Sequence, residues 1–415
     1  MRLLISFAAL FLSISLLQLS SGAIGPLDAL AGLNNGFSKA AIGLMGSAHF
    51  LGFFVGCWWA PRLLGKVGHA RTFAIFSALG AIGAIAHPLI PDPNVWAGLR
   101  ILTGLCVAGC YTVVEAWFQA KLNKHNRGRV MGVYRAVDIV ASSGAQLMIG
   151  FLDPVSYVSY NILAIMCCTC LLPLALTTSP QPVTPEAPRL KPIATILLSP
   201  LGAAGVLVAG LTSSAFRMVG PLYAQEISLT ATQTGYFLAT VMLGGALAQY
   251  PAGWLADRYD RRQVLLGLSL MSALVCFPLA WIGQTTFFLI ITGAILFGVA
   301  TWPIFSVSAA HTNDFADPEK SVEVNASLMF IYGVGAIFSP LIASVFLDRF
   351  GPSSFYIFIG CAHVSLLAYS IYRRRKGRTV KNRTRYTIFP RTSFQIGRLL
   401  RRDPRKDGES AVKEH

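Results

Sequence analysis

The sequence predicts an all-α membrane protein with twelve transmembrane helices in two pseudo-symmetric six-helix bundles. Three observations lead there. Apolar runs of about twenty residues recur from end to end, each long enough to cross ~30 Å of hydrocarbon as a helix. The connections between them alternate between basic and nearly charge-free. The phrase "GPLDA" (Gly25–Ala29) also returns as "GPLYA" (Gly220–Ala224), almost half the chain later, which suggests a duplicated domain. With 54% apolar and 13% charged residues and a mean hydropathy of +0.58, the 415-residue chain has too little polar surface to cover a soluble core. Lipid offers the backbone no hydrogen-bond partners, so the runs must be helices, and the period-two alternation of a membrane barrel is absent.

Turn signals and charge clusters place spans near 3–32, 39–60, 72–90, 95–119, 129–151, 157–177, 200–224, 232–255, 263–282, 286–310, 322–346 and 354–372. "PDPN" (Pro91–Asn94), "DPVS" (Asp153–Ser156) and "GQTT" (Gly283–Thr286) are short and nearly free of basic residues. The other connections hold Arg62, Lys66, Arg71, Lys121, Lys124, Arg127, Arg129, Arg189, Lys191, Arg258, Arg261, Arg262 and Lys320, against Lys39 and Arg349 on the opposite side. The positive-inside rule puts that basic set, and with it both termini, in the cytoplasm. Between spans six and seven, "TTSPQPVTPEAPRLKP" carries five prolines and suits a semi-rigid linker. The expected organisation is a first bundle over 1–178, a linker over 179–197, a second bundle over 198–373 and a tail over 374–415.

The formal charge of +16 is concentrated at that end of the chain, where Arg373–His415 hold 15 basic and 4 acidic residues. A basic segment after a last membrane helix is expected to lie on anionic lipid, and with no folded recognition motif it does not point to nucleic acid. All eight cysteines (Cys57, Cys106, Cys110, Cys167, Cys168, Cys170, Cys276 and Cys361) fall in apolar runs without zinc-type spacing and read as small packing residues. The opening segment has features of a signal peptide, but its apolar character continues to Leu33, so it reads as span one.

The second half repeats the first beyond the GPL phrase. A shift of 192 residues aligns Gly43 with Gly235, Leu51 with Leu243, Gly52 with Gly244 and Leu63 with Leu255. Near span ten the shift becomes 194, laying "RILTG" (Arg100–Gly104) over "AILFG" (Ala294–Gly298). Duplicated halves around a site at the membrane midplane are a transporter architecture.

At the end of span eight stands "GWLADRYDRR", where Gly253, Asp257, Arg258, Arg261 and Arg262 form a candidate gating latch. Asp257 can accept from helix N-terminal amides, and the arginines can grip helix C-termini and carboxylates. The segment resembles the G-x-L-A-D-R-x-G-R-R loop signature of the major facilitator superfamily. Its first-half copy, "PRLLGKVGHAR", has Gly65 in place of the aspartate and Lys66 in place of the arginine, which predicts unequal gating. "RILTGLCVAG" resembles the superfamily's R-x3-G-x3-[GA] motif, whose arginine the resemblance links to proton coupling or substrate anions. Arg100 lies ~9 Å inside its span and must pair, face water or snorkel to the rim. "VVEAW", "NRGR", "GPLYA", "GWLADR" and the Gly-rich span eleven resemble the YcaD-like branch. Span five reads "ASSGAQ" where the resemblance associates G-x3-G-P with exporting antiporters, and span eleven comes nearer with "GAIFSP".

Glu115 lies ~22 Å along the axis from Arg100 on a similar face, so the two cannot touch. Glu115, Arg135 and Asp138 are expected to form an inner gate or an interfacial pair, and Glu115 or Asp138 to carry a proton. Arg217, whose first-half counterpart is Gly22, invites an anionic ligand or a protein carboxylate such as Asp28 or Glu226. The histidines His49, His87, His311 and His363 are scattered and read as packed, hydrogen-bonded groups. The resemblance implies a cavity lined mainly by spans one, four, seven and ten, with Gln18, Tyr111, Arg217 and Trp302 as candidate lining residues and Pro303 breaking the helix beside it.

The function expected is secondary active transport of a small organic solute by a monomer in the bacterial inner (plasma) membrane, coupled to protons. No cofactor or metal is expected, and no G-x4-G-K-[ST] loop is present for ATP. Two arginines against few membrane carboxylates lean toward an organic anion. The rival from another class is a non-transporting receptor or scaffold that signals through its basic tail.

Overall fold

A computed structural model describes residues 7–121, 127–176, 190–281, 286–317 and 320–374. Most of the expected linker, and the basic tail from residue 375, lie outside them. The first half contains α1 (Ala8–Asn34), α2 (Lys39–Val67), α3 (His69–Ala86), α4 (Pro93–Lys121), α5 (Arg127–Met148), α6 (Tyr157–Thr169) and α7 (Leu171–Ala175). After α8 (Pro192–Leu198), the second contains α9 (Pro200–Glu226), α10 (Ala231–Arg258), α11 (Arg261–Trp281), α12 (Phe287–Thr301), α13 (Ile304–Asn313), α14 (Ser321–Phe350) and α15 (Ser353–Arg374). Ten segments among the described residues are long and apolar enough to cross a membrane. The two other expected spans, α5 and α10, have 22 and 28 residues, about 33 and 42 Å. They fall short in apolarity, not length: each spends part of its surface on the other, and α5 also packs on α1.

Several boundaries differ from expectation for local reasons. α2 continues through Pro61 to Val67, and only Gly68, at φ +84°, separates it from α3. A side chain is strained there, so glycine makes this one-residue reversal possible. The signature at the end of span eight is likewise helical to Arg258, with Tyr259 and Asp260 alone before α11. Part of the expected linker is helical as α8, opened by Pro192 at a position that needs no amide donor. Span ten breaks at Trp302–Pro303, as the proline predicts.

The internal repeat is visible as contacts. A Cβ placed on Gly52 of α2 would lie 2.1 Å from the Ile101 carbonyl oxygen on α4, and one on Gly104 of α4 would lie 2.0 Å from the His49 carbonyl oxygen on α2. Their counterparts do the same: Gly244 would meet the Ile295 oxygen at 2.6 Å and Gly298 the Val241 oxygen at 2.2 Å. The glycines let backbones approach closely, and both crossings use equivalent residues on both sides. The halves also meet through one contact made twice. A Cβ on Gly43 of α2 would lie 2.7 Å from the Pro340 oxygen of α14, and one on Gly235 of α10 would lie 2.8 Å from the Gln146 oxygen of α5.

One buried apolar cluster runs from Phe7 to Leu174 entirely within the first half. Two others are built from α9–α15, joined by Ala29, Ile42 and Phe50 from across the interface. Cys57, Cys106, Cys110, Cys167, Cys170 and Cys276 are buried, while Cys168 and Cys361 lie on the outer surface.

Gly104→Ala tests the α2–α4 crossing. It is expected to lower thermal stability in detergent by about 1–3 kcal/mol, because the clash is with backbone. Gly98→Ala on the same helix, where a Cβ meets nothing within 4 Å, is expected to leave the melting temperature unchanged.

Candidate functional site

A cavity lies between the halves, lined by α1, α2, α4 and α5 on one side and α9, α10 and α14 on the other. It is open to water-molecule centres over about 60 Å³, room for roughly four or five waters. Gln18 and Arg217 line it together with His49 and Gln146; Phe50, Phe53, Phe216, Met218 and Met242 supply apolar wall. The lining differs from the four spans the resemblance implied. Neither α12 nor α13 contributes, because Trp302 turns back into the second-half core against Gly245 and Phe216.

Tyr111 stands one layer behind the wall, fully buried. Its hydroxyl contacts Gln18 Oε1 and lies 2.8 Å from Asp138 Oδ1, and Asp138 Oδ2 is 3.5 Å from Arg135 Nη1. A polar chain therefore runs from the cavity surface to Arg135. Glu115 is reached by its neighbour Tyr134, whose hydroxyl is 3.4 Å from Oε1. The expected trio thus divides, with Arg135 and Asp138 joined on α5 and Glu115 facing Tyr134.

Arg100 does not snorkel. It is 1% exposed and its Nη1 lies 3.5 Å from Asp28 Oδ2. Asp28 also faces His87 Nε2 at 3.3 Å and accepts from the Tyr160 hydroxyl at 3.0 Å. His87 Nδ1 sits 2.5 Å from the Gly83 carbonyl, and its ring stacks on Tyr160 and meets Trp96 edge-on. This buried tetrad from α1, the turn after α3, α4 and α6 was not foreseen. Asp28, one of the partners the sequence offers Arg217, turns to Arg100 instead, since spacing along one helix gives no information about which neighbour a carboxylate turns toward. Arg100 Nη2 also contacts Met218 Sδ across the interface at 3.5 Å.

Glu226, the other partner expected for Arg217, is 2.9 Å from Lys39 Nζ, which also lies 3.9 Å from Asp348. Lys39 opens α2, whereas Glu226 closes α9 and Asp348 lies near the end of α14, so these pairs tie the halves together at one end of the molecule. Gly43 and Gly235 pack there too. Arg217 remains on the cavity wall with no carboxylate within 4.0 Å among the described residues. Its first-half counterpart could not be large, because a Cβ on Gly22 already lies 2.9 Å from Ala145.

At the opposite, basic end the candidate latch is a staple within the second half. Arg261 is 1% exposed. It donates to the Ala256 carbonyl at 3.2 Å and the Ala310 carbonyl at 2.8 Å, the closing turns of α10 and α13. It also binds Asp314 at 2.7 Å and Asp257 at 3.3 Å. Gly253 is buried, Arg258 lies over Trp254, and Arg262 lies over Phe315. His49 and His363 bond to Thr103 and Thr212, so, like His87, they are hydrogen-bonded side chains.

A family model described as the Major Facilitator Superfamily matches the chain twice, over residues 10–203 and 202–405. A protein of Salmonella heidelberg (strain SL476) described as "Uncharacterized MFS-type transporter YcaD" is 24% identical over 348 residues, covering 81% of this chain and 87% of the relative. The crystal structure of the nucleoside transporter NupG superposes with a TM-score of 0.76 at 13% identity, covering 90% of this chain and 99% of that one. The crystal structure of a D-xylose-proton symporter gives 0.67 at 13% identity, covering 88% and 96%.

Asp28→Asn removes the carboxylate that answers the buried Arg100. It is expected to cost about 3–5 kcal/mol of stability, read as a lowered melting temperature. The double variant Asp28→Asn, Arg100→Met is expected to recover part of that loss, since no charge is left buried alone.

Proposed function

Because the chain belongs to the major facilitator superfamily, we propose that it is a secondary active transporter carrying a small organic solute across the bacterial inner membrane by alternating access. Residues 1–178 and 198–373 are the moving bundles and 179–197 the linker between them. The basic end faces the cytoplasm with both termini, and the tail from 374 rests on anionic lipid. The observation that carries this reading is the position of the cavity behind the Lys39–Glu226 and Lys39–Asp348 ties. Those pairs and the glycine contacts beside them tie the halves together at the end without basic loops, which supports a state closed there while the cavity lies between the halves. At that end the Arg261 staple holds α10, α11 and α13 as one rigid corner of the second bundle.

Proton coupling is the companion proposal, with Asp138 as carrier. The Tyr111 hydroxyl has one hydrogen and two oxygens within reach, on Gln18 and on Asp138. A proton on Asp138 supplies the second donor and connects its ionisation to the cavity wall through Gln18. The alternative arrangement turns the Gln18 amide so that its nitrogen donates to Tyr111, leaving Asp138 ionised; moving between the two arrangements would register proton release at the cavity surface.

In proteoliposomes given a metabolite mixture, solute uptake followed by mass spectrometry is expected to respond to an imposed pH gradient. Asp138→Asn should keep uptake down a solute gradient while losing the response to pH. Wild-type uptake indifferent to the gradient, or a variant that still follows it, would remove Asp138 as the carrier.

A further inference from the structure

We infer that the cavity is a receptor for a small organic monoanion that carries a hydrogen-bond donor beside an apolar body. The inference rests on reading the cavity as the transport site, and it adds the chemistry of what enters.

Arg217 supplies the anion preference. Of the side chains lining the cavity, it alone carries a full charge, and no carboxylate among the described residues neutralises it. A half-buried guanidinium on a cavity wall attracts an anion more strongly than one in bulk water, because solvent screens it less. Its planar fork matches a carboxylate with two parallel hydrogen bonds. One positive charge balances one negative charge, so a monoanion is favoured over a phosphate dianion.

His49 supplies the second requirement. The Thr103 hydroxyl donates its single hydrogen to the Arg100 carbonyl at 2.9 Å. With that hydrogen engaged, it accepts from His49 Nδ1, 3.2 Å away, which is the arrangement that satisfies both contacts. In the neutral ring that places the hydrogen on Nδ1 and leaves Nε2 as an acceptor. No described residue bonds to Nε2, and His49 lines the cavity. A ligand with a hydroxyl or N–H meets that acceptor, and one without leaves it unsatisfied. The remaining wall is aromatic and methionine-rich. Met218 and Met242 can adjust to different apolar bodies, and the small volume open to water favours a small ligand.

The test titrates purified full-length protein in nanodiscs with lactate, propionate and lactamide, and with mandelate, phenylacetate and mandelamide, reading binding by calorimetry and thermal shift. Each acid is expected to bind roughly tenfold or more tighter than its uncharged amide, and each hydroxy acid tighter than its deoxy partner. Arg217→Gln should erase the advantage of the acids, while Arg217→Lys, which keeps the charge without the fork, should retain part of it. His49→Phe should erase the hydroxyl preference and leave acid over amide intact. If Arg217→Gln does not fold, Arg217→Lys decides, with a weakened acid preference expected and an unchanged one contrary. Amides binding as well as acids, or no acid binding up to millimolar concentration, overturns the inference. Uptake of the bound acid into proteoliposomes separates it from the transport reading. An acid that binds through Arg217 but is never carried contradicts transport alone, whereas amides carried as readily as acids contradict the anion class alone.

Discussion

A charge between membrane helices has no solvent to answer it, so protein or ligand must. Arg100 is answered by Asp28, with His87 and Tyr160 completing the group. Arg261 is answered by Asp314, Asp257 and two helix-end carbonyls. Lys39 is answered by Glu226 and Asp348 across the interface. Each pairing does a different job: the first consolidates the first half, the second stiffens a corner of the other, and the third ties the two together. Arg217, on the cavity wall, has no carboxylate within 4.0 Å among the described residues, and the anion proposed above would answer it.

Around these charges the backbone repeats itself closely. The same carbonyls meet the same glycines in the α2–α4 and α10–α12 crossings, and the same exchange joins α2 to α14 and α10 to α5. Such contacts act over backbone distances and leave little room for either half to drift alone. Side chains break the symmetry where function needs it. Arg217 stands where the first half has Gly22, and at the Gly68 reversal His69 takes the place that Arg261 holds in the second half. A symmetric frame with unsymmetric charges suits a machine whose two ends open by different means.

Much of this was legible in the sequence because hydropathy, charge alternation and the glycine offsets are properties of the chain itself. Helix order followed from those and the break in span ten from Pro303, whereas Gln18 and Arg217 were candidates for the cavity only through the family resemblance. What sequence could not supply was lateral: Asp28 and Glu226 were offered to Arg217, yet each has a nearer cation on a neighbouring helix. Tyr111 and Trp302 were placed on the wall, but a one-layer rotation puts the first behind Gln18 and packs the second into the core. The Asp–Arg signature read as a loop is the end of a helix, because the turn after it needs only two residues.

The central claim is that the ends open in turn around one cavity. Double electron–electron resonance measures it most directly, with one spin-label pair at exposed Asn34 and Arg349, where the Lys39 ties hold the halves, and another at exposed Lys66 and Gln263, at the basic end. Across a pH series with and without transported solute, the account predicts two distance populations per pair, the first lengthening under conditions where the second shortens. Single unchanging distances at both ends, or both pairs lengthening together, would contradict it.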